Sequence, residues 1–105
     1  IGDNFHSGTD CLIITQNHNY DRGNAIPYDD SYIYKEVTIE DNVWLGSKVT
    51  ILPGITIEEG AIIQAGSTVT SDVPKGAIAG GHPAKVFSKR DMEHYEKHKK
   101  EGNFH

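Results

Sequence analysis

The sequence predicts a single all-β domain: a parallel coil of short strands with one protruding loop and a C-terminal α-helix. Three observations carry that reading. Aliphatic residues recur at every sixth position, as Ile33, Ile39, Leu45, Ile51, Ile57, Ile63 and Val69. Four residues after each stands another aliphatic or small residue: Val37, Val43, Val49, Ile55, Ala61, Ser67 and Val73. Gly46, Gly54, Gly60 and Gly66 fall where such a chain must turn, and glycine tolerates turn dihedrals. A helix would repeat near 3.6 residues, and a plain strand would alternate without a six-residue register. Because strand neighbours face opposite sides, Val43 and Leu45 point inward and Trp44 outward.

The elements follow in order. At the N-terminus Ile1, Ser7 and Ile13 keep the register, with Phe5 and Cys11 at the second inward site. Ile1 already lies inside a repeat, which predicts further chain before it. The pattern lapses at Asn17 and resumes at Ile33, so Asn19–Tyr32, polar and aromatic with one Gly and one Pro, reads as an external loop. Loops of this length without structure of their own are usually functional or disordered. After Val73 comes the turn-rich closing segment PKGAIAGGHPAKVF. Ser88–Glu101 reads as a helix stopped by Gly102 and closing the C-terminal end of the core. The predicted division is a β-helical part over 1–87 and a helix with its tail over 88–105.

At 105 residues the chain holds one domain at most. A net charge of −5 speaks against nucleic acid as a partner. No apolar run reaches membrane-span length, and no segment reads as a signal peptide. The lone cysteine, Cys11, cannot pair within the chain and reads as a small buried hydrophobe, which fits a reducing, cytoplasmic setting.

The stretch VTIEDNVWLGSKVTILPGITIEEGAIIQAGSTVTSDVPKGAIAGGHPAK resembles the hexapeptide-repeat acyltransferases. With IGDNFHSGTDCLIITQNHNYD the likeness covers roughly nine-tenths of the chain. Within them it is most similar to the galactoside, maltose, streptogramin and capsular-sugar O-acetyltransferases, and DNVWLGSKVTILPG is the most specific part. The resemblance implies a left-handed β-helix of triangular coils, residues eighteen apart being stacked. It implies a homotrimer with active sites between subunits, and acetyl-CoA as cosubstrate in the outer groove. It implies a histidine general base at His18, with Tyr20 and Asp21 beside it toward the acceptor. The acceptor would be a hydroxyl of a sugar, a polysaccharide or a similar small molecule. Trp44, Gly46, Ser47, Ala65 and Thr70 would meet the cofactor, and Lys85, Lys89 and Arg90 its phosphates. Glu40, Glu58 and Gln64 stand where the family often has glycine, and His82 replaces a commoner asparagine. The acceptor-binding asparagine of related sugar acetyltransferases would fall before Ile1.

The chemistry is consistent with those residue types. An imidazole titrates near working pH and can take a proton from an attacking hydroxyl. The oxyanion then formed needs fixed donors, which the Ser47 and Ala65 N–H groups at equivalent corners could supply. Trp44 and Ile62 would form an outward apolar pair beside them, suited to a cofactor groove or a subunit interface. His94 and His98, four apart on the predicted helix, make a polar helix face more readily than a metal site, and no metal is expected. A β-helix carbonic anhydrase would carry its histidines on the coils, and residues 33–74 contain none. A non-catalytic β-helix serving assembly or binding accounts equally for the hexads, but not for His18 and its loop.

Overall fold

The computed structural model describes residues 1–105. Short strands wind into a left-handed parallel β-helix, all-β apart from one C-terminal helix. One complete coil is β5 (Thr38–Ile39), β6 (Trp44–Leu45) and β7 (Thr50–Ile51), one strand per face. The next, β8 (Thr56–Ile57), β9 (Ile62–Ile63) and β10 (Thr68–Val69), stacks on it in parallel with Ile39 opposite Ile57, Leu45 opposite Ile63 and Ile51 opposite Val69. A six-residue repeat over three faces thus places residues eighteen apart side by side. On the other side, β1 (His6–Ser7) stacks on β6 and β2 (Leu12–Ile13) on β7.

The aliphatic repeat fills the interior. Twelve of the fourteen predicted inward residues are buried, and Val37 is half-buried against the same cluster. Ser67 is the one polar member, and its Oγ accepts the Gly81 N–H at 3.0 Å. At the turns the left-handed backbone conformation falls to Asn4, Asn42, Gly60 and Gly76 between the first and second faces. Asp10, Lys48 and Gly66 take it between the second and third, and Gly54 after the third. Asparagine and aspartate tolerate that region better than most side chains, so these turns do not all demand glycine.

Three sequence expectations need correction. Ile33 does not line the coil: it pairs with Asn17 across an antiparallel ribbon of β3 (Gln16–His18) and β4 (Tyr32–Tyr34). Ile13 therefore stacks on Ile51, thirty-eight positions on, and the insertion adds twenty residues to a coil rather than fourteen. The hexad register cannot reveal this, because Ile33 fits it by spacing alone. The closing coil is also two residues short, with Ile57 bridging Val73 and Ile62 opposite Ile78 in β11 (Ala77–Gly81).

The third correction concerns the C-terminus. Ser88 and Lys89 belong to β12 (Ala84–Lys89), which folds back antiparallel on β11. Helix α1 spans only Met92–Lys100, beginning where Asp91 accepts the His94 N–H at 3.1 Å. It does not close the core end. Met92 lies against Gly76, Tyr95 packs where a Cβ on Gly60 would come within 2.6 Å of its ring, and His6 Nε2 meets the His105 carbonyl at 2.8 Å. The helix and tail therefore run back along the first corner toward the N-terminal coil. No helix is long and apolar enough to cross a membrane.

A polar cluster fastens this helix. Glu59 Oε2 accepts the Tyr95 hydroxyl at 2.9 Å and Lys99 Nζ at 2.8 Å, and Asn42 Nδ2 donates to the Tyr95 oxygen at 3.1 Å. The Lys99 hydrogen bond, against some burial and with help from Tyr95, holds Glu59 below the usual carboxylate range. A lowered folded-state value means that ionised Glu59 stabilises the fold above the ordinary glutamate range, and that this is lost as pH falls through the lower folded value. The gap between the thermal midpoints of Glu59→Gln and the unaltered chain is expected to be smaller at pH 3 than at pH 7. At pH 7 the variant should melt lower, by no more than ~1 kcal/mol, the scale of a partly exposed pair. A gap of equal size at both pH values would contradict this.

Candidate functional site

The site begins with the corner between the second and third faces. A Cβ on Gly46 would lie 2.6 Å from the Ala65 nitrogen, and one on Gly8 would lie 2.6 Å from the Ser47 nitrogen. Both glycines let successive coils approach closely at this corner. Gly46 is kept small by the neighbouring coil, not by a left-handed dihedral. Stacking sets Ser47 and Ala65 one coil spacing apart, ~4.8 Å. Neither N–H donates to another group of the chain, so the two form a short row of available donors. Ser47 Oγ is engaged, accepting the Thr9 N–H at 3.1 Å.

Trp44 is on the outer side of the second face, 52% exposed, in register between His6 and Ile62. The alternation predicted from the sequence is what β6 shows: Leu45 is fully buried and its neighbour is not. Trp44 also borders a cleft of about 510 Å³ between this face and α1 with its tail.

His18 ends β3 and is half-buried. The β3–β4 arm departs at the third corner, where the Lys35 N–H donates to the Thr15 carbonyl at 2.9 Å and Lys35 carbons lie beside Gly54. Neither ring nitrogen of His18 has a hydrogen-bond partner in the chain. The imidazole instead lies flat on Tyr28, with centroids 3.7 Å apart and planes 8° apart, and tilted against Tyr32 at 5.4 Å. Sequence reasoning passed over Tyr28, since a tyrosine ten residues away in a polar loop carries no periodic signal.

The remaining candidates divide between corners. Tyr20, Asp21 and Thr70 line a cleft of about 320 Å³ at the third corner with Asn17, Lys35 and Pro53. Thr70 therefore sits with the arm, not with Ser47 and Ala65. Lys85 is opposite Gly80, at the end of the sheet next to the Ser47–Ala65 corner. Lys89 is opposite Ala77, at the other end of β12. Arg90 is committed to the helix anchor: its Nε donates to the Gly60 carbonyl and its guanidinium lies 5.6 Å from the Tyr95 ring centroid. Of the three cations grouped in sequence, only Lys85 stands on the side of the free N–H row. His94 and His98 lie near each other on α1, but His98 Nδ1 is 3.0 Å from the Asn103 amide.

The most consequential feature is a separation. Within one chain His18 belongs to the third corner and the Ser47–Ala65 row to the second. A whole face stands between them, ~15 Å wide at about 3.3 Å per extended residue.

The family model for bacterial transferase hexapeptide repeats, six repeats long, matches residues 36–71. A Schizosaccharomyces pombe protein named "putative acetyltransferase" is 38% identical over 96 residues, covering 89% of this chain and 44% of its own length. A maltose O-acetyltransferase from Clostridium difficile superposes with a TM-score of 0.70 at 34% identity, over 84% of this chain and 57% of that one. The chain belongs to the hexapeptide-repeat acetyltransferase family. A second member of that family, a Vibrio cholerae acetyltransferase solved with acetyl-CoA, superposes with a TM-score of 0.70 at 31% identity, over 83% of this chain and 46% of that one. The chain thus spans less than half the length of the S. pombe relative.

Proposed function

We propose that this chain is the catalytic β-helix of an enzyme that moves the acetyl group of acetyl-CoA to a hydroxyl of a sugar or glycan. The observation that carries the reading is the row of unpartnered N–H groups at Ser47 and Ala65, on a corner cleared by Gly8 and Gly46. Support for the cosubstrate and acceptor class comes from relatives: the V. cholerae structure holds acetyl-CoA, and the C. difficile protein is a maltose O-acetyltransferase.

On this reading His18 takes the proton from the acceptor hydroxyl as its oxygen attacks the thioester carbonyl. The Ser47 N–H donates to the oxygen that gains charge, and the Ala65 N–H holds the extended cofactor arm one coil along. Collapse of the tetrahedral species breaks the carbon–sulfur bond, and the departing thiolate takes the proton that His18 holds. Trp44 borders the thioester end, Lys85 meets the CoA phosphates, and Tyr20 and Asp21 face the acceptor.

Because His18 and the N–H row lie a face apart in one chain, the site is completed between adjacent subunits of a homotrimer. His18 of one subunit serves the Ser47 corner of its neighbour. The test follows from that geometry, with free thiol release measured over a panel of hydroxyl and amino acceptors. His18→Ala and Ser47→Pro, the latter lacking the N–H, should each be inactive alone. Refolded together, they should recover part of the original rate, since some interfaces then pair an intact His18 with an intact corner. Two inactive variants that stay inactive when mixed would show that both groups act within one chain. No thiol release with any acceptor from the unaltered chain would favour a binding module.

A further inference from the structure

A general base is usually aimed by a hydrogen bond to its second ring nitrogen. His18 has no such partner in the chain, and the loop supplies a different constraint. The His18–Tyr32 register pair of the β3–β4 ribbon brings one aromatic to the side of the imidazole. The loop then returns to lay Tyr28 over its face, almost parallel at 8°.

The residues next to Tyr28 are tied down. Asp29 Oδ1 accepts from the Ser31 N–H at 2.9 Å and from the Ser31 hydroxyl at 2.6 Å. Asn19 Nδ2 donates to the same hydroxyl oxygen at 3.1 Å, and Asn19 Oδ1 accepts the Arg22 N–H at 3.2 Å. The two Ser31 hydrogen bonds hold the Asp29 carboxylate below its ordinary range. Gly23 is needed here, because a Cβ there would collide with the Asp29 carboxylate. The loop between β3 and β4 is thus a closed frame that presents one tyrosine ring to one imidazole.

We propose that Tyr28 is a positioning residue for the base: its ring, stacked on His18, sets the plane in which the free ring nitrogens face the acceptor. The proposal rests on the general-base reading of His18. Stacking fixes the imidazole plane while leaving both nitrogens open. The same face also favours the imidazolium present after proton transfer, through cation–π attraction. The phenol hydroxyl has no part in this, so phenylalanine should serve as well.

The experiment compares Tyr28→Leu, Tyr28→Phe and His18→Ala in the full chain, none of which alters a core residue. In the unaltered chain and in Tyr28→Phe, the carbon-bound ring protons of His18 should show the upfield ring-current shift of a stacked aromatic. Tyr28→Leu should lose that shift. Its kcat should fall ~10–100-fold, the scale expected of a misaimed catalytic group, with KM for acetyl-CoA held within about two-fold. Tyr28→Phe should keep its kcat. Unchanged kcat in Tyr28→Leu while His18→Ala is inactive would overturn the positioning role and leave the base in place. Loss of kcat in Tyr28→Phe equal to that in Tyr28→Leu would assign the effect to the hydroxyl and overturn the stacking argument. An active His18→Ala would defeat the base reading itself, and the positioning role with it.

Discussion

Replacing His18 with alanine is expected to lower acetyl transfer by ~10²–10⁴-fold, the usual contribution of a positioned general base. The imidazole is well placed for a large effect: it is half-buried, its ring nitrogens are free of partners in the chain, and it lies at the loop end of the two-stranded ribbon, stacked on Tyr28. Affinity for acetyl-CoA should hardly change, because on the proposed reading the imidazole acts on the acceptor hydroxyl and not on the cofactor. The variant should also melt like the unaltered chain, since no core residue is altered. Steady-state rates at saturating acetyl-CoA, with cofactor affinity measured separately, check both halves. Turnover close to that of the unaltered chain would remove His18 from the chemistry.

Leu45→Ala should cost ~2–5 kcal/mol of stability, the range for a large aliphatic side chain cut back in a core. Leu45 is fully buried, with Ile63 stacked on it from the next coil and Ser7 from the preceding one. A triangular coil has no slack with which to fill the void, since its interior is one stack of side chains bounded by three sheets. Trp44→Ala, one residue away, should cost much less because its indole is 52% exposed. The second change should act on the ligand instead, raising KM for acetyl-CoA. Trp44 is the only tryptophan, so its emission reports directly on that face. Thermal or denaturant unfolding separates the two variants. A Trp44→Ala loss as large as that of Leu45→Ala would mean that the indole is buried in subunit packing. Emission that ignores saturating acetyl-CoA at constant oligomer state would take Trp44 out of the cofactor groove.

Much of this architecture can be read from the order of residues. Ile39 to Val69 repeat at six because each face of the coil takes one short strand and one turn, and burial enforces the period at every coil. The outward Trp44, the corner at Ser47 and its counterpart Ala65 follow from the same arithmetic, since stacking at eighteen is a property of the chain itself. His18 could be singled out only through the likeness of TQNHNYD to a known family. At the end of a strand that leaves the coil, it has no periodicity to mark it.

Other features were decided by tertiary contact. Ile33 fits the six-residue spacing but pairs with Asn17, because two strands leaving the coil together satisfy each other's backbone before the coil resumes. Ser88 and Lys89 have helical neighbours in sequence, yet the open edge of β11 draws them into β12. The helix runs along a corner rather than over the core end because Gly60 and Gly76 leave room there for Tyr95 and Met92, and Glu59 holds Lys99. Arg90 is held at the helix anchor by the Gly60 carbonyl, and Tyr28 is brought onto His18 by a loop frame of Asn19, Asp29 and Ser31. The sequence by itself determined the coil, its core and its corners, because these repeat locally and each coil tests the same pattern. Only the tertiary structure decided which corner each functional group occupies, because that depends on single contacts between distant segments, which no period records.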